Sequence, residues 1–506
     1  VLQRIRRKIH MRVLRFGLFV FLLSAAIAPA EGQTGEVPSK ASIPAPKSYS
    51  SSRDELIERV RKGDSPSFAV AVVKDGKIVW EEGIGWADRE KGIGAGSDTE
   101  YALASISKSI TAAGIAIFES KGRIKQDSRI SGLLGKGWMK SKDVGKVTVA
   151  QILSHTSGIP HLHHYEYADV PGSVFDRNAA IRKFGFIASE PGTRFLYTNL
   201  GYSVLAAVIE KLGGGGFEDV MKRELFGPLG MNGTTLNKWT GAEDAAAGYR
   251  RDGKPMGFEL RLAPDGGAGF FSTAHDLALY SMFQIGADVP KGMESATITE
   301  YLSGYENISA FFYDRGWGIL KTSDHTFLIS DGQMAGASTA IVLVPEEKLA
   351  VVVLCNRTGA PALEAAVSIT GAAVPGLDKK FGSALDAAEK LVTVAGELPY
   401  KEYEGTVKKG GKKINVRITF AENQAMLSLG GGDFKLRDAG WDRGALQLIA
   451  PTGLNGESEE KSDERLVFAL WPDGERLYGT VQEELNDDRP RWGVPYKISL
   501  RRLKAK

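Results

Sequence analysis

The chain has 506 residues, enough for two or three domains with separate cores. Its 43% hydrophobic and 25% charged content is ordinary for globular protein. The formal charge of +3 is local: residues 1–30 hold Arg4, Arg6, Arg7, Lys8, Arg12 and Arg15 and no acid, so the remainder is net negative and offers no basic surface for nucleic acid.

In chain order, the basic opening runs into the apolar stretch Phe16 to Ile27 and then Ala28-Pro29-Ala30. That order of charged, apolar and small residues predicts a secretory signal peptide over residues 1–30, removed after Ala30. About 12 apolar residues fall short of the ~20 that span a bilayer, so a periplasmic or secreted protein without stable membrane insertion is expected. No cysteine stands directly after the apolar stretch, so no lipoprotein anchor is expected. Cys355, the single cysteine, follows the apolar run Leu349 to Leu354; it forms no intrachain disulfide and reads as a small buried hydrophobe.

Residues 31–51 are rich in Pro, Ser and Gly and read as a mobile linker. A helix is predicted over Ser52 to Lys62. Phe68 to Val73 and Lys77 to Trp80 flank Asp75-Gly76, a strong hairpin signal. A second hairpin is predicted from Ala340 to Val344, the turn Pro345 to Lys348, and Leu349 to Leu354. Two hairpins around a helical middle imply one sheet closed by both ends of a domain over residues 52–382. A helical stretch, Ser383 to Leu398, makes 383–399 a linker helix. The period then changes to two. Ile414, Val416, Ile418 and Phe420 alternate, as do Leu466, Phe468 and Leu470, and then Ile498 and Leu500. About eight such runs predict a small antiparallel barrel over residues 400–506, folding apart from the rest. The fold class expected is α+β: an antiparallel sheet flanked by helices with an inserted helical region, plus a C-terminal antiparallel β-barrel.

The chemistry centres on Ser105. If a helix starts there, Lys108 lies one turn on and on the same face, within reach of the hydroxyl. A nucleophilic serine needs a base, and a lysine serves once burial lowers its pKa; the apolar run Ile110 to Phe118 supplies that burial. A second Ser-x-x-Lys, Ser458 to Lys461, sits in a polar stretch and reads as a solvated turn. Tyr197-Thr198-Asn199 offers a phenol able to relay a proton and an amide able to bond Lys108 and a substrate carbonyl; Tyr305-Glu306-Asn307 repeats the spacing. His161-Leu162-His163-His164 lacks the carboxylate or cysteine pattern of a metal site and reads as loop histidines near the cleft. His155 reads as a structural residue bonding its own turn. Gly213 to Gly216 lacks the following Lys-Ser/Thr of a phosphate loop and reads as a helix C-terminal loop.

Together these stretches resemble the serine β-lactamase and penicillin-binding-protein-like family, most closely its class C and esterase-type branch, over residues 52 to 370. Gln151 to Gly158 (QILSHTSG) looks like the family's LLxHTSG stretch. Pro228 to Met231, Gly266 to Thr273 with Asp276-Leu277, and Gly316-Trp317-Gly318 resemble further landmarks in the expected order. The resemblance implies a nucleophile Ser105, its base Lys108, the partner Tyr197, and Asn199 on the substrate. It aligns the third motif with Ser330-Asp331-Gly332, where Ser330 replaces the usual Lys or His facing the substrate. It implies oxyanion donors at the backbone of Ser105 and Gln333, worth ~3 kcal/mol each. Strand alternation is expected to turn Asp331 to the opposite face from Ser330.

The function implied is an exported serine hydrolase that forms an acyl-enzyme at Ser105 on an ester or small amide or peptide, without metal or cofactor. The missing cation favours neutral esters over penicillins and D-Ala-D-Ala ends. Alternatives are a D-amino-acid peptidase or DD-carboxypeptidase on cell-wall fragments, and a non-catalytic binding protein. The C-terminal barrel is lipocalin-like by resemblance; its ligand and the oligomeric state are left open.

Overall fold

The computed structural model describes residues 36–135, 138–139, 142–170, 176–236, 238–242, 244–263, 265–302, 311–392, 401–421, 424–442, 444–456, 464–485 and 492–503. The expected signal peptide lies outside them, as do Ser458 to Lys461 and Tyr305 to Asn307. The chain divides into two compact units. One takes the chain up to Ser128, then Glu166–Val174 and Tyr202–Ala388; the other takes Arg129–Tyr165, Phe175–Gly201 and Glu389–Lys506.

In the first unit the strands are β1 (Ser39–Ile43), β2 (Ser67–Lys74), β3 (Lys77–Asp88), β4 (Phe311–Asp314), β5 (Trp317–Lys321), β6 (Thr326–Met334), β7 (Ala337–Val344) and β8 (Leu349–Cys355). Both expected hairpins form. Asp75 and Gly76 take φ of 52° and 73°, the left-handed pair that a two-residue type I′ turn requires. Between β7 and β8 a short 3₁₀ turn, Pro345–Glu347, is closed by Lys348 at φ 45°. β8 pairs antiparallel with β2 from Leu349↔Lys74 to Cys355↔Phe68. The two hairpins therefore share one antiparallel sheet, in the order β1-β3-β2-β8-β7-β6-β5-β4.

Neighbouring residues of opposite parity are buried alike: Val70 and Ala71, Ile341 and Val342, Val352 and Val353. Both faces of these strands are covered, which is why they read as unbroken apolar runs. Helices α1 (Ser50–Arg61), α2 (Ser107–Ser120), α3 (Asn199–Gly213), α4 (Ala274–Gln284), α5 (Ala362–Ala373) and α6 (Leu377–Val392) accompany the sheet. α4 packs on β2 and β8, α5 on β7 and β8. Every residue of α2 from Ser107 to Phe118 is buried, so this helix is enclosed on all sides.

Two expectations are corrected here. Residues 36–51 are not a mobile linker: β1 pairs with β3 along the sheet edge, and Val37 and Tyr49 enter the core. Their backbone bonds and apolar burial outweigh a Pro- and Ser-rich composition. The linker helix begins ahead of Ser383, because Leu377, Phe381 and Leu385 all join that core; residues 393–398 lie outside the described residues.

In the second unit the strands β9 (Glu402–Lys409), β10 (Lys412–Ala421), β11 (Gln424–Leu429), β12 (Gly432–Lys435), β13 (Arg437–Asp442), β14 (Ala445–Ala450), β15 (Glu464–Asp473), β16 (Arg476–Leu485) and β17 (Trp492–Arg502) form an antiparallel sheet. Its order is β12-β11-β10-β9-β17-β16-β15-β14-β13. Leu436 alone separates β12 from β13, so the two ends of this order meet and the sheet is a nearly closed barrel. The alternating residues point inward as expected: Val416, Ile418, Leu466, Phe468, Leu470, Ile498 and Leu500 share its core. The boundary expected at residue 400 nevertheless divides residues that pack together. The strand His163–Tyr167 pairs with β17 through Trp492↔His164 and Gly493↔His163.

Candidate active site

Ser105 sits in the 3₁₀ turn Ala104–Ile106 that leads into α2. Ala104 is left-handed, with φ 47°. That conformation costs an alanine about 1–2 kcal/mol and persists where the surroundings impose it. Three hydrogen bonds do so. Thr339 Oγ1 donates to the Leu103 carbonyl at 2.9 Å, and the Leu103 N–H donates to the Phe270 carbonyl at 2.9 Å. The Phe270 N–H in turn donates to Ser107 Oγ at 3.1 Å. On β6, a Cβ at Gly332 would stand 2.1 Å from the Leu103 carbonyl oxygen and 3.1 Å from the Ser105 nitrogen. Only glycine lets this strand run beside the backbone of Ser105.

Lys108, the second residue of α2, is fully buried, with Nζ 3.1 Å from Ser105 Oγ. Nζ also donates to the Gly267 carbonyl at 2.7 Å, which fixes the direction of the amine. Thr111 Oγ1 donates to the Gly266 carbonyl at 2.8 Å. A Cβ at Gly266 would stand 2.5 Å from the Tyr202 carbonyl, so the Gly-rich stretch is what allows this backbone to reach the lysine. Burial holds the Lys108 pKa well below the ordinary lysine value, and the charge of Asp331 opposes that shift. Burial also pushes the Asp331 carboxyl up to about 6, against the pull of Lys108. A buried amine poised toward the neutral form is what a general base beside a serine hydroxyl requires.

In the third motif the serine at the cation's position is covered. Ser330 is buried at 2% exposure, and its hydroxyl donates to Ser109 Oγ at 3.4 Å. A Cβ at Gly332, of the same parity, would stand 3.1 Å from the Ser105 nitrogen, so this parity faces the start of α2, while the charge of Asp331 acts on Lys108 through space. The alternation of the two residues is as expected. Gln333 turns its side chain to β7, where Oε1 accepts from Ser338 Oγ at 2.7 Å.

Tyr197 and Asn199 belong to the second unit, at the start of α3. The HTSG turn lies against the chain that carries them. Backbone N–H groups of Ala188, Gly192 and Leu196 donate to the carbonyls of Gly158, Thr156 and His155 at 2.8, 2.7 and 2.7 Å. The His155 ring reaches beyond its own turn: Nδ1 accepts the Thr198 N–H at 3.1 Å. His161 Nδ1 accepts the Asn199 N–H at 3.3 Å. The rings of His155 and His161 lie 4.4 and 5.5 Å from the Tyr197 ring, between centroids. Thr198 caps the helix, its Oγ1 accepting the Gly201 N–H at 2.9 Å and donating to the Pro160 carbonyl at 2.8 Å. The histidines at 155 and 161 thus hold the backbone on either side of the phenol, a role that spacing alone did not disclose. Among the described residues no group of three or more His, Cys, Asp and Glu side chains could hold a metal ion.

The family model described as Beta-lactamase matches residues 53–373. Protein flp of Staphylococcus aureus (strain NCTC 8325 / PS 47) is 25% identical over 321 residues, which cover 60% of this chain and 62% of that protein. Penicillin-binding protein 4* of Bacillus subtilis (strain 168) is 28% identical over 188 residues, covering 36% and 40%. The chain therefore spans less than two thirds of the length of these relatives. Among solved structures, an octameric penicillin-binding protein homologue from Pyrococcus abyssi superposes with a TM-score of 0.52 at 22% identity, over 88% of this chain and 99% of that one. A class C beta-lactamase superposes with a TM-score of 0.53 at 19% identity, over 65% and 96%. With the Beta-lactamase model matched over more than half its length and the same fold around Ser105 and Lys108, the chain belongs to the serine β-lactamase and penicillin-binding-protein-like family.

Proposed function

We propose that the protein is an exported serine hydrolase that forms an acyl-enzyme at Ser105 on neutral esters or small amides. The observation that carries this reading is the buried Lys108 amine, 3.1 Å from the Ser105 hydroxyl. Neutral Lys108 takes the hydroxyl proton as Ser105 Oγ bonds to the substrate carbonyl carbon. The resulting oxyanion is met by backbone N–H groups of Ser105 and Gln333. Collapse breaks the bond to the leaving group, which takes a proton relayed by Tyr197, and water then cleaves the acyl-enzyme. The roles of Tyr197, Asn199 and Gln333 come from the family resemblance, and export from the composition of residues 1–30.

The third motif bears on the substrate. The family's motif brings a cation to this strand, whereas here a carboxylate interacts with Lys108 and the serine at the cation's position is buried against Ser109. A substrate carboxylate gains no charged partner from this motif. Neutral esters are therefore favoured over penicillins and acidic peptide ends.

The test is covalent labelling with a fluorophosphonate probe followed by an ester panel. Label is expected at Ser105 and absent in Ser105→Ala. Lys108→Ala is expected to lower kcat by on the order of 10²–10⁴. Full labelling of Ser105→Ala, or a cephalosporin hydrolysed faster than every neutral ester, contradicts the reading.

A further inference from the structure

The barrel has a packed apolar interior, and its outer wall at β15 and β16 is covered. Leu427, Leu448, Phe468, Leu477, Val481 and Leu500 occupy its interior. Alternation then turns Val467, Ala469 and Trp471 of β15, and Thr480, Gln482 and Glu484 of β16, to the outside. All six are nevertheless buried, at 8% exposure or less. A fully buried tryptophan on the outside of a barrel means that another part of the chain lies on it. Within this unit, Phe186, Ala188 and Leu196 pack with Trp471, Ala445 and Tyr478.

Polar bonds fix the register of that contact. Arg194 Nε donates to Tyr478 Oη at 3.0 Å, and Lys497 Nζ donates to the Ile187 carbonyl at 3.1 Å. Gln482 Nε2 lies 3.3 Å from Nδ1 of His163, whose pKa burial holds below the ordinary histidine value, so the neutral ring accepts the amide proton. From this wall the chain reaches Tyr197 at once: Leu196 packs on Trp471 and donates its N–H to the His155 carbonyl, and the rings of His155 and His161 accept the N–H groups of Thr198 and Asn199.

We propose that the outer wall of the C-terminal barrel positions Tyr197 and Asn199, with Trp471, Tyr478, Gln482 and Lys497 as positioning residues for the hydrolase; their catalytic consequence rests on the function proposed above. The barrel serves the reaction through its surface. Displacement of a catalytic group by about 1 Å costs up to 10²-fold in rate, so loosening this seat should act on kcat.

The experiment compares full-length wild type with Tyr478→Ala, Tyr478→Phe and Lys497→Ala by hydrogen–deuterium exchange and ester kinetics. Tyr478 is only half-buried and Lys497 is exposed, so these variants spare both cores. In Tyr478→Ala, exchange over residues 194–200 should rise at least tenfold while amides of β9–β11 keep wild-type protection. kcat should fall about tenfold, with KM and the extent of Ser105 labelling unchanged. Tyr478→Phe, which keeps the ring, should recover most of both effects, and Lys497→Ala should show the same change more weakly. Unchanged exchange at 194–200 in both Tyr478→Ala and Lys497→Ala overturns the proposal, as does raised exchange with kcat unchanged. A wild type that turns over no ester refutes the function instead, while the exchange data still decide whether the barrel holds this segment.

Discussion

At the scale of residues, the site turns on the balance between Lys108 and Asp331. Lys108 must be neutral before it can accept the proton of Ser105. Burial favours the neutral amine, and an ionised Asp331 favours the ammonium. Asp331 is itself charged above about pH 6 and neutral below it. Where Asp331 is ionised, its charge therefore offsets part of the lowering that burial imposes on Lys108. Asp331→Asn removes that pull and leaves burial unopposed, so the lysine pKa falls further. The acid limb of the kcat/KM profile on a neutral ester is expected to move to lower pH in this variant. A limb that stays in place or moves upward would show that Lys108 is not the titrating base.

At the scale of elements, the HTSG turn holds the chain that carries Tyr197, and its glycine is the least replaceable part. Gly158 has φ +71°, and a Cβ there would stand 2.2 Å from the Ser189 carbonyl oxygen. Gly214, in the loop after α3, has the same φ of +71° with nothing within 4 Å of a Cβ. The two positions separate backbone strain from steric clash. Gly214→Ala should cost only the left-handed penalty, about 1–2 kcal/mol. Gly158→Ala carries that penalty and must also push Ser189 away, which displaces the 188–196 segment bonded to the turn. Thermal melts should show a clearly larger loss for Gly158→Ala, and ester kinetics should show a fall in kcat only for that variant. Equal melting temperatures in the two variants would contradict the packing argument.

At the scale of the whole molecule, the change of period near residue 400 invited a reading of two independent domains. The strand pairing between β17 and His163–His164 and the burial of Trp471 under Leu196 tie the barrel to earlier parts of the chain. A chain ending at residue 400 would leave the apolar residues Phe186, Ala188 and Leu196 without their cover. Such a fragment is expected to aggregate, or to stay soluble with sharply reduced ester turnover. Recovery of a soluble fragment with wild-type kcat would restore the simpler two-domain reading.

The sequence by itself determined whatever depends on local chemistry. Asp75-Gly76 and Pro345 to Lys348 specify turns through the left-handed conformations they tolerate, and so both hairpins were legible. Alternation in β10, β15 and β17 showed which side chains fill the barrel, because a strand with one apolar face can bury only that face. Ser105 and Lys108 were legible because three residues of helix bring them to one face whatever surrounds them. Tertiary structure decided what no local pattern contains. Ser330 carries no local signal of its partner, and only the packing of β6 against α2 buries it against Ser109. Val37 and Tyr49 carry no periodic signal, and it is the sheet edge and core that order residues 36–51. His155 and His161 accept N–H groups from residues more than thirty positions away, a distance across which sequence periodicity conveys nothing. Trp471 is turned to the outside of the barrel by alternation, and it is buried because Ala188 and Leu196, in the chain before Tyr197, pack with it.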